Sequence, residues 1–206
     1  MNVLFLGAHP DDIELGCGGT IHKHVKDWQI TSFTFCNKAL QNRFPDLVDC
    51  HHKAMKSLCV ANVKVGDFYP SYMQLARNDV WDKLYDLNQN CQPDLVFTHS
   101  PDEHQDHQVV YNETLRVFFK SSVVCYHIPR SEQCFQHNYY ETLTYDNASA
   151  KVRALKEYYM YAFDGDWRPS VQACMDENNI LALLRVNGVY VGTEYAEVFR
   201  IIKWVQ

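Results

Sequence analysis

No two lysine or arginine residues stand side by side anywhere in this 206-residue chain, and its formal net charge is −6. A protein that docks on nucleic acid or an anionic membrane concentrates Lys and Arg on one surface, so both partner classes are excluded here. No apolar run approaches the ~20 residues of a membrane span. The opening Met1-Asn2-Val3-Leu4-Phe5-Leu6-Gly7-Ala8 has no basic start and too short an apolar stretch for a secretory leader, so a cytoplasmic location is expected. Cys-x-x-Cys pairs are absent as well. The cysteines are scattered, and some lie inside apolar stretches, such as Cys36 and Cys125. That pattern fits reduced, core-filling thiols and excludes a disulfide framework or a Cys-rich structural zinc site.

Internal repeats, low-complexity tracts and composition shifts are also lacking. With 47% hydrophobic and 21% charged residues, the chain can bury a core, and residues 1–206 read as one domain. Val3 to Ala8 is a continuous apolar run, hence a buried strand. Further strands are expected over 30–36, 63–68, 94–99 and 123–128, with helices over 16–28, 47–58, 80–90 and 107–120 between them. This alternation predicts an α/β fold, a Rossmann-like parallel sheet with helices on both faces. In the last third, a strand over 139–145, helices over 148–161 and 169–185, and a β-rich end to 189–205 are expected.

Two segments carry chemistry. Ala8-His9-Pro10-Asp11-Asp12 follows the first strand and runs into Gly16-Cys17-Gly18-Gly19. Sites in open parallel sheets lie beyond the carboxyl ends of the strands, which is where this turn falls. Pro10 stiffens it, so that one aspartate can ligate a cation beside His9 while the other handles protons. The glycines allow close backbone approach, and Gly18 and Gly19 are candidate substrate contacts. A dinucleotide-binding turn is excluded, because Gly-x-Gly-x-x-Gly is absent and the glycines follow a polar turn instead of opening it. The second segment, His99-Ser100-Pro101-Asp102-Glu103-His104-Gln105-Asp106-His107, follows the fourth strand. His104 and His107, three apart at a helix start, can face one pocket. Imidazole and carboxylate together are the donors of a hydrolytic zinc site, and His9, Asp12 and His107 make a two-histidine, one-carboxylate set.

These two segments resemble the LmbE/PIG-L superfamily of zinc-dependent N-acetylglucosaminyl deacetylases. The first matches nearly throughout, the second through Pro101, Asp102, His104, Asp106 and His107, and Ala196-Glu197 is similar to a pair many members carry near the C-terminus. The resemblance implies that Zn2+ is held by His9, Asp12 and His107, with Asp11 as general base. It makes His104 the oxyanion stabiliser, as imidazolium, or the acid for the leaving amine, with Asp106 holding its charge. The implied substrate is a small N-acetylated amino sugar or its conjugate. The chain departs from the pattern where members carry Arg-x-x-Glu before a helix ending Leu-Gly-Val. Here the helix ends Leu58-Cys59-Val60, Asp49 stands roughly in the acid's place, and Arg43, a candidate substrate contact, lies a few residues early.

Other candidates weigh less. His51-His52 is read as a solvated helix face. His22 and His24, two apart, point to different faces and cannot jointly ligate. His99 and His127 end strands at the active edge, each open between a role beside the site and plain packing. Tyr158, Tyr159 and Tyr161 are read as core and rim aromatics, and Cys17 as small packing instead of a nucleophile. The loops 37–44 and 69–74 follow strands on the same edge and are expected to meet the aglycone. Rival readings are an amidase or acyl-chain deacylase acting on another conjugate, and a nucleotide-sugar binding module without catalysis. The sequence leaves open a homo-oligomer.

Overall fold

On a strand's two-residue alternation, the apolar run from Val3 divides into two buried faces. Val3 and Phe5 join Ile13, Cys17, Ile21 and Ala54 in one core cluster, while Leu4 and Leu6 join Val80, Leu84 and Val110 in another. A strand buried on both sides belongs inside a parallel sheet. The computed structural model describes residues 1–38, 46–158 and 169–205 and places this strand third in a seven-stranded sheet.

The elements run β1 (Asn2–Gly7), α1 (Asp12–His24), β2 (Gln29–Cys36), α2 (Leu47–Ser57), β3 (Asn62–Phe68), α3 (Arg77–Cys91), β4 (Leu95–His99), α4 (Gln105–Val117) and β5 (Ser122–Tyr126). They continue with β6 (Tyr139–Leu143), α5 (Tyr145–Lys156), α6 (Pro169–Met175), α7 (Glu177–Val189) and β7 (Tyr195–Lys203). The sheet order is β3-β2-β1-β4-β5-β7-β6. The first five strands are parallel, as the alternation predicts. β7 then adds antiparallel to β5 and to β6, so the complete sheet is mixed. More than fifty residues, with three helices among the described ones, separate β6 from β7, so their pairing leaves no local signal. Residues of α1, α2 and α5 fill one core cluster and those of α3 and α4 the other, which puts helices on both faces.

The chain runs outward in opposite directions from β1 and β4. Their carboxyl ends therefore flank the crevice where open sheets bind ligands. Phe5 and Phe97 stack at 4.6 Å between ring centroids and lock the two strands together.

Two boundaries differ from expectation because of capping. The helix expected from residue 148 starts at Tyr145, since Thr144 and Asn147 form a reciprocal capping box. The helix expected over 169–185 is two helices, divided at Asp176, whose Oδ1 accepts the Asn179 N–H at 3.1 Å. At the end of α2, Cys59 N–H donates to Lys56 O (2.9 Å) and Val60 N–H to Met55 O (3.0 Å). This is a Schellman motif, and Cys59 holds its left-handed position at φ 64°. No helix among the described residues is long and apolar enough to cross a membrane.

Candidate metal centre

Both motif segments arrive at the crevice between β1 and β4. Asp11 leaves β1 through a left-handed turn, with φ 105°, and becomes the N-cap of α1. That puts Asp12 in the first helical turn, where its carboxylate folds back to accept the His9 N–H at 2.7 Å. From across the crevice, His104 caps α4: its Nδ1 accepts the Asp106 N–H at 3.2 Å. Non-glycine residues hold such left-handed conformations as that of Asp11 at some cost, and they concentrate at functional sites.

The Asp12 carboxylate is the hub. Its Oδ2 lies 3.4 Å from His9 Nδ1 and 3.2 Å from His99 Nε2, and its Oδ1 lies 3.5 Å from His107 Nε2. The second nitrogen of each outer histidine is anchored. His107 Nδ1 meets Asp102 Oδ2 at 2.6 Å, and His9 Nε2 meets Asp106 Oδ2 at 3.0 Å. Two sets of ligand-capable atoms lie within 4.8 Å of one another and share His107: His9, His104, His107, and Asp12, His99, His107. The expected set His9, Asp12 and His107 spans both. A carboxylate-anchored imidazole with its other nitrogen turned inward is the usual form of a zinc-ligating histidine, so the residues present fit the metal.

Electrostatics separates the four histidines. Burial opposes charge on His107, yet Asp12 and Asp102 outweigh it and push the ring up to about 9. Burial opposes charge on His9 too, and its bonds to Asp106 and Asp12 still hold it well above the ordinary histidine value. His99 falls to about 4 through burial and the neighbouring His107 charge. His104 falls to about 4 through burial and the charges of His9 and His107. Asp11 is pushed well above the carboxylate range, first by burial and then by the Asp12 charge.

Several expectations change here. Burial and the charges of His9 and His107 favour the neutral form of His104, against the imidazolium that the resemblance implies. The hydrogen bonds of Asp106 go elsewhere: its carboxylate bonds His9 Nε2 and accepts the Ser71 N–H at 2.7 Å, while its charge acts on His104 only through space. Gly18 and Gly19, expected as substrate contacts, pack against protein. Both are buried within α1, where a Cβ on Gly18 would meet Lys151 Cγ at 3.0 Å and one on Gly19 would meet Leu143 Cδ1 at 2.4 Å. The Gly19 N–H donates instead to Glu197, which also pairs with Lys151 at 2.6 Å. His51 is fully buried, bonded to Glu14 Oε1 at 2.8 Å and facing Thr34 Oγ1 at 3.2 Å, while His52 is exposed. Asp49 is exposed, so His51 is the α2 residue that reaches Glu14.

Other expectations stand on contacts. His22 meets Asn147 while His24 stacks on Trp28, on different partners as their spacing requires. His99 is part of the site, stacked on His107 at 3.8 Å and accepting the Ala8 N–H at 2.9 Å. His127 donates to Glu132 O and stacks on Phe135, a packing role. Cys17 is buried in the core, and burial raises its thiol well above the ordinary value. Tyr158 is a core aromatic whose hydroxyl donates to Glu14 at 2.6 Å. Of the two substrate loops, residues 69–74 touch the site through Ser71. Arg43, most of loop 37–44, Tyr159 and Tyr161 lie outside the described residues. Asp102, Ser71 and Tyr126 are participants that motif reading alone did not assign. The Tyr126 hydroxyl lies 3.0 Å from His99 Nε2.

A family model described as PIG-L, GlcNAc-PI de-N-acetylase, matches residues 4–118, more than half of the chain and both motif segments. The chain belongs to the PIG-L family. It is 26% identical over 168 residues to the uncharacterized deacetylase YaiS of Escherichia coli K12, covering 76% of this chain and 89% of that one. Its fold is similar to that of the conserved protein TT1542 from Thermus thermophilus, with a TM-score of 0.78 at 18% identity, covering 100% and 96% of the two chains. It is also similar to the N,N'-diacetylchitobiose deacetylase of Pyrococcus horikoshii, with a TM-score of 0.75 at 19% identity, covering 97% and 83%. At these identities the two structures speak for the PIG-L fold alone.

Proposed function

We propose that this PIG-L protein is a zinc-dependent deacetylase that hydrolyses the amide of an N-acetylated amino sugar or its conjugate, with residues 1–206 as one catalytic domain. The observation that carries the reading is the Asp12 hub, which has anchored histidines on both sides and the raised carboxyl of Asp11 beside it. His9, Asp12 and His107 would hold the zinc, which supplies a Lewis acid for the amide carbonyl and lowers the pKa of a water.

The other residues divide the proton work. Asp11 takes a proton from the attacking water as its oxygen bonds to the amide carbon. Its carboxyl, held well above the ordinary carboxylate range by burial and the Asp12 charge, suits it to give that proton to the nitrogen as the C–N bond breaks, leaving acetate and a free amine. His104 accepts the Asp106 N–H at Nδ1, so its proton sits on Nε2, from where the neutral ring donates a hydrogen bond to the developing oxyanion. Loop 69–74 meets the sugar's substituent. All eight cysteines are free, in keeping with a reducing, cytoplasmic compartment.

The test is acetate release from a panel of free, phosphorylated and nucleotide-linked N-acetyl amino sugars, run beside zinc analysis. Asp11→Asn should keep its zinc and lose roughly 10²–10⁴-fold in rate. Acetate release from none of the panel, or full activity in Asp11→Asn, refutes the reading. A binding module would retain sugar affinity and release nothing.

A further inference from the structure

His9 has a second side. Its Nε2 meets Asp106 Oδ2 at 3.0 Å, and His9, Asp106 and Cys36 form a cluster whose ligand-capable atoms are within 4.8 Å of one another. Cys36 ends β2, and its N–H donates to Ala8 O at 2.8 Å, which seats the thiol beside the β1 turn. Its Sγ lies 3.5 Å from the Met73 thioether, and neither side chain is solvent-exposed. Asp106 is fully buried as well. Its Oδ2 is used by His9 and Ser71, while its Oδ1 has no hydrogen-bond partner among the described residues. A buried carboxylate oxygen left unpaired beside a thiol, a thioether and an imidazole needs an explanation.

We propose that Cys36, Met73, His9 and Asp106 form a second metal position, one that takes a soft, thiophilic cation and competes with the Asp12 side for His9. Thiolate and thioether are the donors that select such cations over hard ones. A divalent ion there is charge-balanced by the Cys36 thiolate and the Asp106 carboxylate. As it binds, the thiol proton and the proton shared between His9 Nε2 and Asp106 leave to solvent. The ion enters along His9, whose side chain is 18% exposed. One imidazole cannot serve both sides unless it loses both ring protons, so filling this position withdraws His9 from the zinc. The competition rests on the assignment of His9 to the catalytic zinc; the donor cluster itself does not.

Cadmium(II) is the probe, added to the zinc-loaded protein while thiolate-to-cadmium ultraviolet absorption and released zinc are followed together. Cys59 and Cys134 are exposed thiols that also bind cadmium, so the signal is read as the difference between wild type and Cys36→Ser. The wild type should gain a one-equivalent absorption band and release zinc in step with it. Cys36→Ser should lose that band and need at least tenfold more cadmium to release zinc. Met73→Leu should keep the band at weakened affinity. His107→Ala should keep the band and reach it at equal or lower cadmium concentration, because less zinc competes for His9, while its zinc content separately tests the catalytic set. A band of equal size in Cys36→Ser, or no band in the wild type, overturns the site. Binding without zinc release overturns the competition.

Discussion

Replacing Asp102 with Asn changes one oxygen to an NH₂ at a residue that is not itself a metal ligand. In the native site both carboxylate oxygens are acceptors: Oδ2 for His107 Nδ1–H at 2.6 Å, and Oδ1 for the His104 N–H at 2.8 Å. Asparagine has one acceptor, so one of the two donors must face an NH₂. If His107 loses its anchor, the ring is free to rotate or to carry the other tautomer, and Nε2 no longer points at Asp12. Losing such an anchor costs about 10–100-fold in metal affinity, which is about 1.4–2.8 kcal/mol. If the His104 N–H is left facing the amide instead, zinc affinity holds and the turn that presents His104 loosens, so rate falls. A competition titration against a chelator of known affinity, paired with acetate-release kinetics, separates the two. Unchanged zinc affinity together with unchanged kcat would refute the claim that Asp102 organises this site.

Two further outcomes concern stability. Cys59→Gly should raise Tm by about 1–3 °C in a thermal melt, because the exposed thiol occupies a left-handed position that costs a side chain roughly 1–2 kcal/mol, partly offset by the greater chain entropy of glycine; a lowered Tm would contradict this. Glu141 is buried, and although burial raises its pKa, bonds from Lys23, Tyr139 and His24 hold it below the usual value. Its contribution is therefore present above the unfolded pKa of about 4.3 and is lost as pH falls through the lower folded value. The stability gap between wild type and Glu141→Gln should accordingly be widest near neutrality and close in acid, and a gap that stayed constant with pH would count against that account.

How much of the site was legible depended on whether the partners share a segment. His9, Asp12 and His107 stand in two short runs at strand ends, and the βα alternation alone implies that those ends converge. The pairing of carboxylates with imidazoles was not legible, because Asp102 and Asp106 flank His104 at equal distance in sequence. Only the capping turn decides it, turning Asp102 toward His107 and Asp106 toward His9. His51 is hidden in another way. Its neighbours on α2 are mixed, and the residue that requires it, Glu14, lies 37 positions away on a different helix. A buried carboxylate must find a donor, but sequence does not say which helix supplies it.

The glycines of α1 make the sharper case. Each glycine inside a helix costs up to about 1 kcal/mol relative to alanine, so Gly16, Gly18 and Gly19 together imply that something approaches this helix closely. Close approach is what the structure has, and the groups that approach are side chains of the protein itself. A Cβ on Gly16 would stand 2.3 Å from Tyr126 Cδ2, deep inside any permitted contact. Tyr126 in turn donates to Leu6 O at 2.7 Å and lies 3.0 Å from His99 Nε2, and His99 stacks on His107. Gly16 therefore does serve the metal centre, through an aromatic ring and a neutral histidine that fix where His107 stands. Glycine in a motif reports a required distance of approach, and only the fold says to what.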